Sequence, residues 1–316
     1  MNKFCQNCGT PLLEGARFCG SCGQLLAQVI PATQPQQGVL TPAIPRTEKT
    51  SLIKNNGVYV AWFLFYFIVF SVVTAGIAIP FYIITVILAF TPLAEKLWRW
   101  VSGVRPLRLH SEQVRLLPLF KEVYTGAAHA DANLSKGIRL YIKEDMTINA
   151  FAFGKSSLVI TRGCLELLND DCLKGLIAHE FGHFSYRHTE AILLATVSNF
   201  YISFYLSKLT DLKNRFDLEN KVGIANGLLK FIVDAIYYSF KAPAVLGDLI
   251  LMHTSRQHEY LADQFAEKSG FSRELTDALL EIYAVSISKP QSVKEQLKSS
   301  HPHITLRIER LEKALY

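Results

Sequence analysis

Charge is what this sequence has least of. Only 19% of its 316 residues are Asp, Glu, Lys or Arg, while half are hydrophobic. Soluble domains carry about 25% charged residues, so the balance points to a chain that meets a membrane. Between Val58 and Ala94 no such residue occurs at all. A net charge of +6, spread along the chain and without a basic-aromatic patch, does not describe a nucleic-acid binder. Cysteine is scarce beyond the N-terminus: of six, four lie within the first 22 residues, and Cys164 and Cys172 stand alone. No apolar h-region opens the chain, so no secretory signal is expected; the cysteines are read as reduced and the soluble parts as cytoplasmic.

The early cysteines are spaced for metal. Cys5 and Cys8 form one CxxC knuckle, Cys19 and Cys22 a second, and Gly9 and Gly23 follow them. Two close pairs of thiolates suit tetrahedral, structural zinc; two disulfides would need an oxidising compartment. Residues 1–25 are therefore expected to be a zinc ribbon that folds on its metal and serves as a knob for a protein partner. A Pro- and Gln-rich linker follows over 26–56. A membrane hairpin is then expected over 57–97: its uncharged run from Val58 to Ala94 is too long for one membrane crossing and right for two short ones that turn near Gly76 and Pro80. Lys and Arg flank both ends, which places both on the cytoplasmic side, with Trp98 and Trp100 at the interface.

Residues 98–316 carry the chemistry. His179-Glu180-Phe181-Gly182-His183 is an HExxH motif, and Asn169 and Asp170 offer a helix N-cap ahead of it. On a helix, His179 and His183 share a face and can hold one zinc ion. Glu180, turned by ~100°, can take a proton from water on that ion without ligating it. Ahead of this helix, a helix over Glu112–Ala130 and strands at Ile138–Ile142 and Ser157–Thr161 give the order of a zincin-like α+β domain, mainly helical with a small sheet. An edge strand in such a sheet can bind an extended peptide by β-addition. Downstream, Glu259 can complete a His₂Glu site and Asp263, one turn on, can bond a ligand histidine; His258 is a rival ligand.

Two further apolar segments, 191–207 and about 222–253, must cross a membrane together or not at all, because the zinc ligands need to lie on one side. Lys230, Asp234, Lys241 and Asp248 share a narrow stripe on the second of these. At ~100° per residue the stripe extends to Ser255 and Glu259, provided the helix survives Pro243.

The run Asn149–Gly154, the segment GCLELLNDDCLKGLIAHEFGH, the string EYLAD, and His301-Pro302 followed by Arg307 resemble, in this order, the HtpX-like and CAAX prenyl protease group of zinc metallopeptidases. The resemblance covers about residues 100–316. It implies His179, His183 and Glu259 as ligands of a catalytic zinc, Glu180 as base, and Asn149, Ala150, Phe151, Ala152 and Phe153 as the substrate edge. It also implies that His301 and Arg307 lie near the cleft, stabilising the oxyanion or the active-site helix. The expected activity is hydrolysis of membrane-associated or misfolded polypeptide at a prokaryotic inner membrane, from the cytoplasmic side. The alternative is a non-proteolytic, membrane-tethered zinc-ribbon adaptor on a peptidase-like scaffold.

Overall fold

The computed structural model describes residues 52–74, 76–218, 224–286 and 304–315. The chain divides into two units, Met1–Ile44 and Pro45–Tyr316, and every described residue belongs to the second. The four ribbon cysteines and His301 lie outside the described residues.

A four-stranded sheet, β1 (Val104–Pro106), β2 (Arg139–Lys143), β3 (Ala150–Phe153) and β4 (Ser157–Thr161), runs in the order β1-β2-β4-β3. Only β2 and β4 are parallel; β1 and β3 pair antiparallel to their neighbours. Strand β4 is buried along its whole length, as its branched Leu-Val-Ile core suits. That leaves β3 as the outer strand on one side, half-buried, with its far edge turned from β4. Helix α4 (His110–Ala130), the short α5 (Arg162–Leu167) and α6 (Asp170–Ser185) follow the order expected for them. Leu116, Val123, Ile142, Leu158, Leu173 and Ile177 join sheet and helices in one core. Outside it, Glu112 on α4 is buried and receives Arg105 from β1 at 2.7 Å and Arg162 from α5 at 3.1 Å, which ties the sheet's other edge to the helical layer.

The uncharged run folds as α1 (Leu52–Val73) and α2 (Ala78–Ala89), joined through Gly76 at φ 85°. Helix α1 bends at Asn56, whose buried amide donates to the Tyr186 carbonyl at the end of α6. The chain then breaks by 76° into α3 (Pro92–Val101), which sequence reading took only as the exit from the hairpin. Two later helices are long and apolar enough to cross a membrane: α7 (His188–Leu218), over His188–Arg215, and α8 (Ile224–Lys268), over Gly227–Lys268. They pack on one another, α1 packs on both, and α2 on α7. Helix α8 continues through Pro243 and past Arg256, so it carries the polar stripe into the zincin domain. Asp234 pairs with Lys213 of α7 at 2.8 Å, Asp248 lies near Tyr66 of α1, and Ser255 is bonded by Tyr59 of α1, which also neighbours Glu259. The stripe's acidic members thus turn to neighbouring helices, while Lys230 and Lys241 are exposed. Two further helices, α9 (Ser272–Ser286) and α10 (Ile304–Leu315), close the domain over α6 and α8.

Candidate active site

Helix α6 starts where Asn169 caps it, its side chain accepting the Cys172 N–H at 2.8 Å. Its His179 and His183 then present their Nε2 atoms 3.3 Å apart. Glu259, from α8, brings Oε2 to 3.5 Å from His179 Nε2 and Oε1 to 3.6 Å from His183 Nε2. This approach needs Gly182: a Cβ there would sit 2.7 Å from the Ala262 Cα and force the two helices apart.

These spacings decide whether zinc fits. Tetrahedral donors at the usual ~2.0–2.2 Å bond lengths lie about 3.4 Å from one another, and the three observed separations are 3.3, 3.5 and 3.6 Å. Two neutral nitrogens and one carboxylate are the donor types zinc takes. Glu180 brings an oxygen within 4.8 Å of both histidine donors. The residues fit a zinc ion.

Each histidine is held from behind. His179 Nδ1 lies 2.9 Å from Asp263 Oδ1, one turn along α8 from Glu259. Arg307, reaching in from α10, grips Asp263 at 2.6 and 2.8 Å and Glu259 at 3.1 Å. Its Nη2 is 3.2 Å from His179 Nδ1, but a guanidinium cannot accept, so the proton on Nδ1 goes to Asp263. Arg307 thus bonds Asp263 and Glu259 of α8 and lies against His179 of α6. Burial and Arg307 pull the His179 pKa down, but Asp263 and Glu259 outweigh them and carry it up to about 9; burial drives that of His183 down to about 3. Burial also pushes Glu180 up to about 6, against the lowering effect of His179 and of the Ala152 N–H that its carboxylate accepts. That last bond brings strand β3 against Glu180.

Sequence reading missed His188. Tyr186 ends α6, Arg187 turns in the left-handed region at φ 58°, and His188 opens α7 pointing back at the site. Its Nδ1 lies 3.1 Å from the Nδ1 of His183. It is fully buried, and its ring stacks on His258 at 3.7 Å and 5°. His258 in turn stacks on Tyr59 at 5.2 Å, so the rival ligand is packed behind the site. The signal was present as a third histidine five residues after the motif. Only the turn at Arg187 gives it meaning.

The model of peptidase family M48 matches residues 119–315. The chain belongs to that family. Among M48 relatives, a protein named Protease HtpX homolog from Dictyoglomus turgidum is 30% identical over 297 residues, 80% of this chain and 89% of that one. Another of that name, from Thermoanaerobacter pseudethanolicus, is 27% identical over 68% of this chain and 81% of its own. The crystal structure of S. mikatae Ste24p aligns with 82% of this chain and 63% of that one at 19% identity and a TM-score of 0.48, too loose to add to the assignment. A zinc-ribbon domain model matches residues 4–26. The M48 chain is a zinc-dependent metallopeptidase, a hydrolase whose substrate is polypeptide, and the adaptor alternative is not favoured.

Proposed function

We propose that this M48 peptidase cleaves extended stretches of membrane-associated or misfolded protein at the site built by His179, His183, Glu259 and Glu180. The observation that carries the reading is the triangle of donors 3.3–3.6 Å apart with a separate buried carboxylate beside it. His179, His183 and Glu259 hold zinc. When bound, zinc supplies a Lewis acid that acidifies water and polarises a carbonyl. Glu180 takes the proton from the attacking water and returns it to the leaving amine. Asn149, Ala150, Phe151, Ala152 and Phe153 align the substrate backbone along the free edge of β3, which the Ala152–Glu180 bond places next to the base. Asp263 fixes the tautomer of His179, and Arg307 holds Asp263 and Glu259. His301 belongs near the cleft on the ground of its place in the motif order alone. The test is hydrolysis of casein or a single-span membrane protein by the purified chain: activity lost to a chelator and regained with zinc supports the reading, and chelator-resistant cleavage removes it.

His188 is the second support of the metal. With Nε2 of His183 turned to the other donors, its Nδ1–H donates to Nδ1 of His188. Partners of ligand histidines typically contribute 10–100-fold to metal affinity. His188→Phe keeps the stack on His258 and loses the acceptor, so zinc affinity measured by chelator competition should fall about that much. Affinity equal to the parent's would show that the contact is packing only.

The N-terminal cysteines Cys5, Cys8, Cys19 and Cys22 hold a second, structural zinc, and residues 1–25 form a separate bead on the 26–56 linker, free to meet a protein partner; no nucleic acid is expected. Helix α1 begins at Leu52, inside the stretch read as linker. Cys5→Ser with Cys8→Ser should lower metal content from two zinc ions to one and leave hydrolysis of a short peptide intact. A metal count unchanged by the pair of substitutions would contradict the ribbon site. The helices of residues 57–97, with α7 and α8, anchor the peptidase in a prokaryotic inner membrane. Lys49, Lys54, Lys96 and Arg99 at the two ends of that run support an active site on the cytoplasmic side.

A further inference from the structure

Helix α3 has two faces with different business. Leu93, Leu97, Trp100 and Val101 are 69%, 57%, 78% and 71% exposed. At ~100° per residue they fall within one arc of ~100°, and Glu95 lies almost opposite its centre. An apolar arc this exposed is unusual on a protein surface facing water. It is continuous with helix α2, whose Phe81, Ile84 and Leu88 are also exposed, and the 76° bend between them turns the chain from one axis to nearly the perpendicular one. Exposed Lys96 flanks the arc.

The opposite face is bound to the hairpin that makes the substrate edge. The Glu95 carboxylate is buried and accepts from the Lys155 N–H, from Ser156 Oγ at 2.7 Å and from Ser157 Oγ at 3.1 Å. It thereby takes three donors from the turn between β3 and β4 and the first residue of β4. Gly154 opens that turn at φ 60°, and a Cβ there would collide with the Glu95 carboxylate. Arg99 donates to Ser157 Oγ at 2.7 Å. Trp98 lies flat on Phe153 at 3.8 Å and 13°, and edge-on to Phe151 at 5.9 Å. Phe151 and Phe153 are alternate residues of β3 and share one of its faces.

We propose that α3 lies in the plane of the bilayer interface, with Leu93, Leu97, Trp100 and Val101 in lipid, and that it sets the substrate-binding edge β3 at headgroup height. The occupant of the apolar arc is lipid, because the arc continues an apolar helix and ends in a tryptophan beside a lysine, the residues that seat amphipathic helices at an interface. The strand lies about one helix diameter, ~10 Å, from that layer. An edge at that height takes the part of a polypeptide that has just left the membrane, in extended form, before it can fold away. This inference rests on the membrane-peptidase reading and adds to it where along the substrate cleavage falls.

Two measurements on the full-length protein in phosphatidylcholine–phosphatidylglycerol vesicles test it. The chain has three tryptophans, so the emission of Trp100 is the difference between the parent and Trp100→Phe. Bromines on the lipid acyl chains should quench at least about half of that difference, as direct contact with an interfacial side chain requires. An unquenched Trp100 overturns the proposal. So does disulfide formation between two copies carrying Leu97→Cys, which would make the arc a dimer contact. In the second measurement, Leu97→Glu with Trp100→Glu should cut cleavage of a bilayer-inserted single-span protein about tenfold and leave hydrolysis of a short soluble peptide within about twofold, since only the lipid-facing arc is changed. Equal loss of both activities means the helix merely supports the hairpin, and the proposal fails. Absence of peptide hydrolysis in the parent protein would instead remove the peptidase reading, while the quenching result would still stand.

Discussion

Glu180→Gln should retain zinc at the parent's affinity and lose hydrolysis by at least ~10²–10⁴-fold, the usual contribution of a positioned general base. The substitution is conservative in shape. Glu180 is buried on α6, and its carboxylate accepts the Ala152 N–H; the glutamine carbonyl can accept the same bond, so β3 stays in place. None of the three donors spaced 3.3–3.6 Å apart is touched, since these belong to His179, His183 and Glu259. What disappears is a group able to receive a proton in one step and return it in the next. Burial already holds the Glu180 pKa up to about 6, which suits an exchanger working near neutral pH. Hydrolysis at the parent rate with metal bound would mean that another group serves as base, and loss of zinc would mean that Glu180 is a ligand.

Arg307→Leu should destabilise the zinc-free protein by ~3–5 kcal/mol, the cost of leaving buried charge without its partner. The Arg307 side chain is nearly enclosed and is bonded to both Asp263 and Glu259. Two buried carboxylates then face one another with His179 as the nearby cation, whose pKa they hold up to about 9 against burial and Arg307. Zinc brings two positive charges to the same place, so the loaded variant should recover much of the loss. Thermal unfolding with and without chelator reads this directly. Tryptophan emission is a clean probe, because Trp62, Trp98 and Trp100 all lie outside the ribbon. An equal loss of stability with and without metal would show that Arg307 acts by packing rather than by charge.

The site was legible to the extent that it lies on helices. His179 and His183 meet because residues four apart share a face, and Glu259 with Asp263 repeats that spacing on a second helix. Helical spacing also separated Glu259 from His258, which the structure places in a stack with Tyr59 and His188. What could not be read depends on turns and on contacts far apart in the chain. His188 reaches His183 only through the left-handed Arg187. Arg307 could be assigned to the cleft but not to its partners, since the approach of α10 to α8 leaves no periodic trace. Nothing in the motif signals that Gly182 lets the Ala262 backbone come close enough to exclude a Cβ. In the fold, β2 is marked by alternating apolar residues and β4 by a branched run, whereas the three-residue β1 is too short to show alternation. Helix α3 was hidden for another reason. The uncharged stretch runs on to Ala94, and the 76° break after Ala89 has no charged residue to mark it.

The central claim is that one zinc ion sits among His179, His183 and Glu259. Anomalous scattering at the zinc edge, from crystals of Glu180→Gln carrying the ribbon substitutions Cys5→Ser and Cys8→Ser, tests it most directly. One peak is predicted, at ~2.0–2.2 Å from the Nε2 atoms of both histidines and from a Glu259 carboxylate oxygen. A peak ligated by Glu180's replacement, by His188 or by His258, or no peak in fully zinc-loaded protein, would contradict the account.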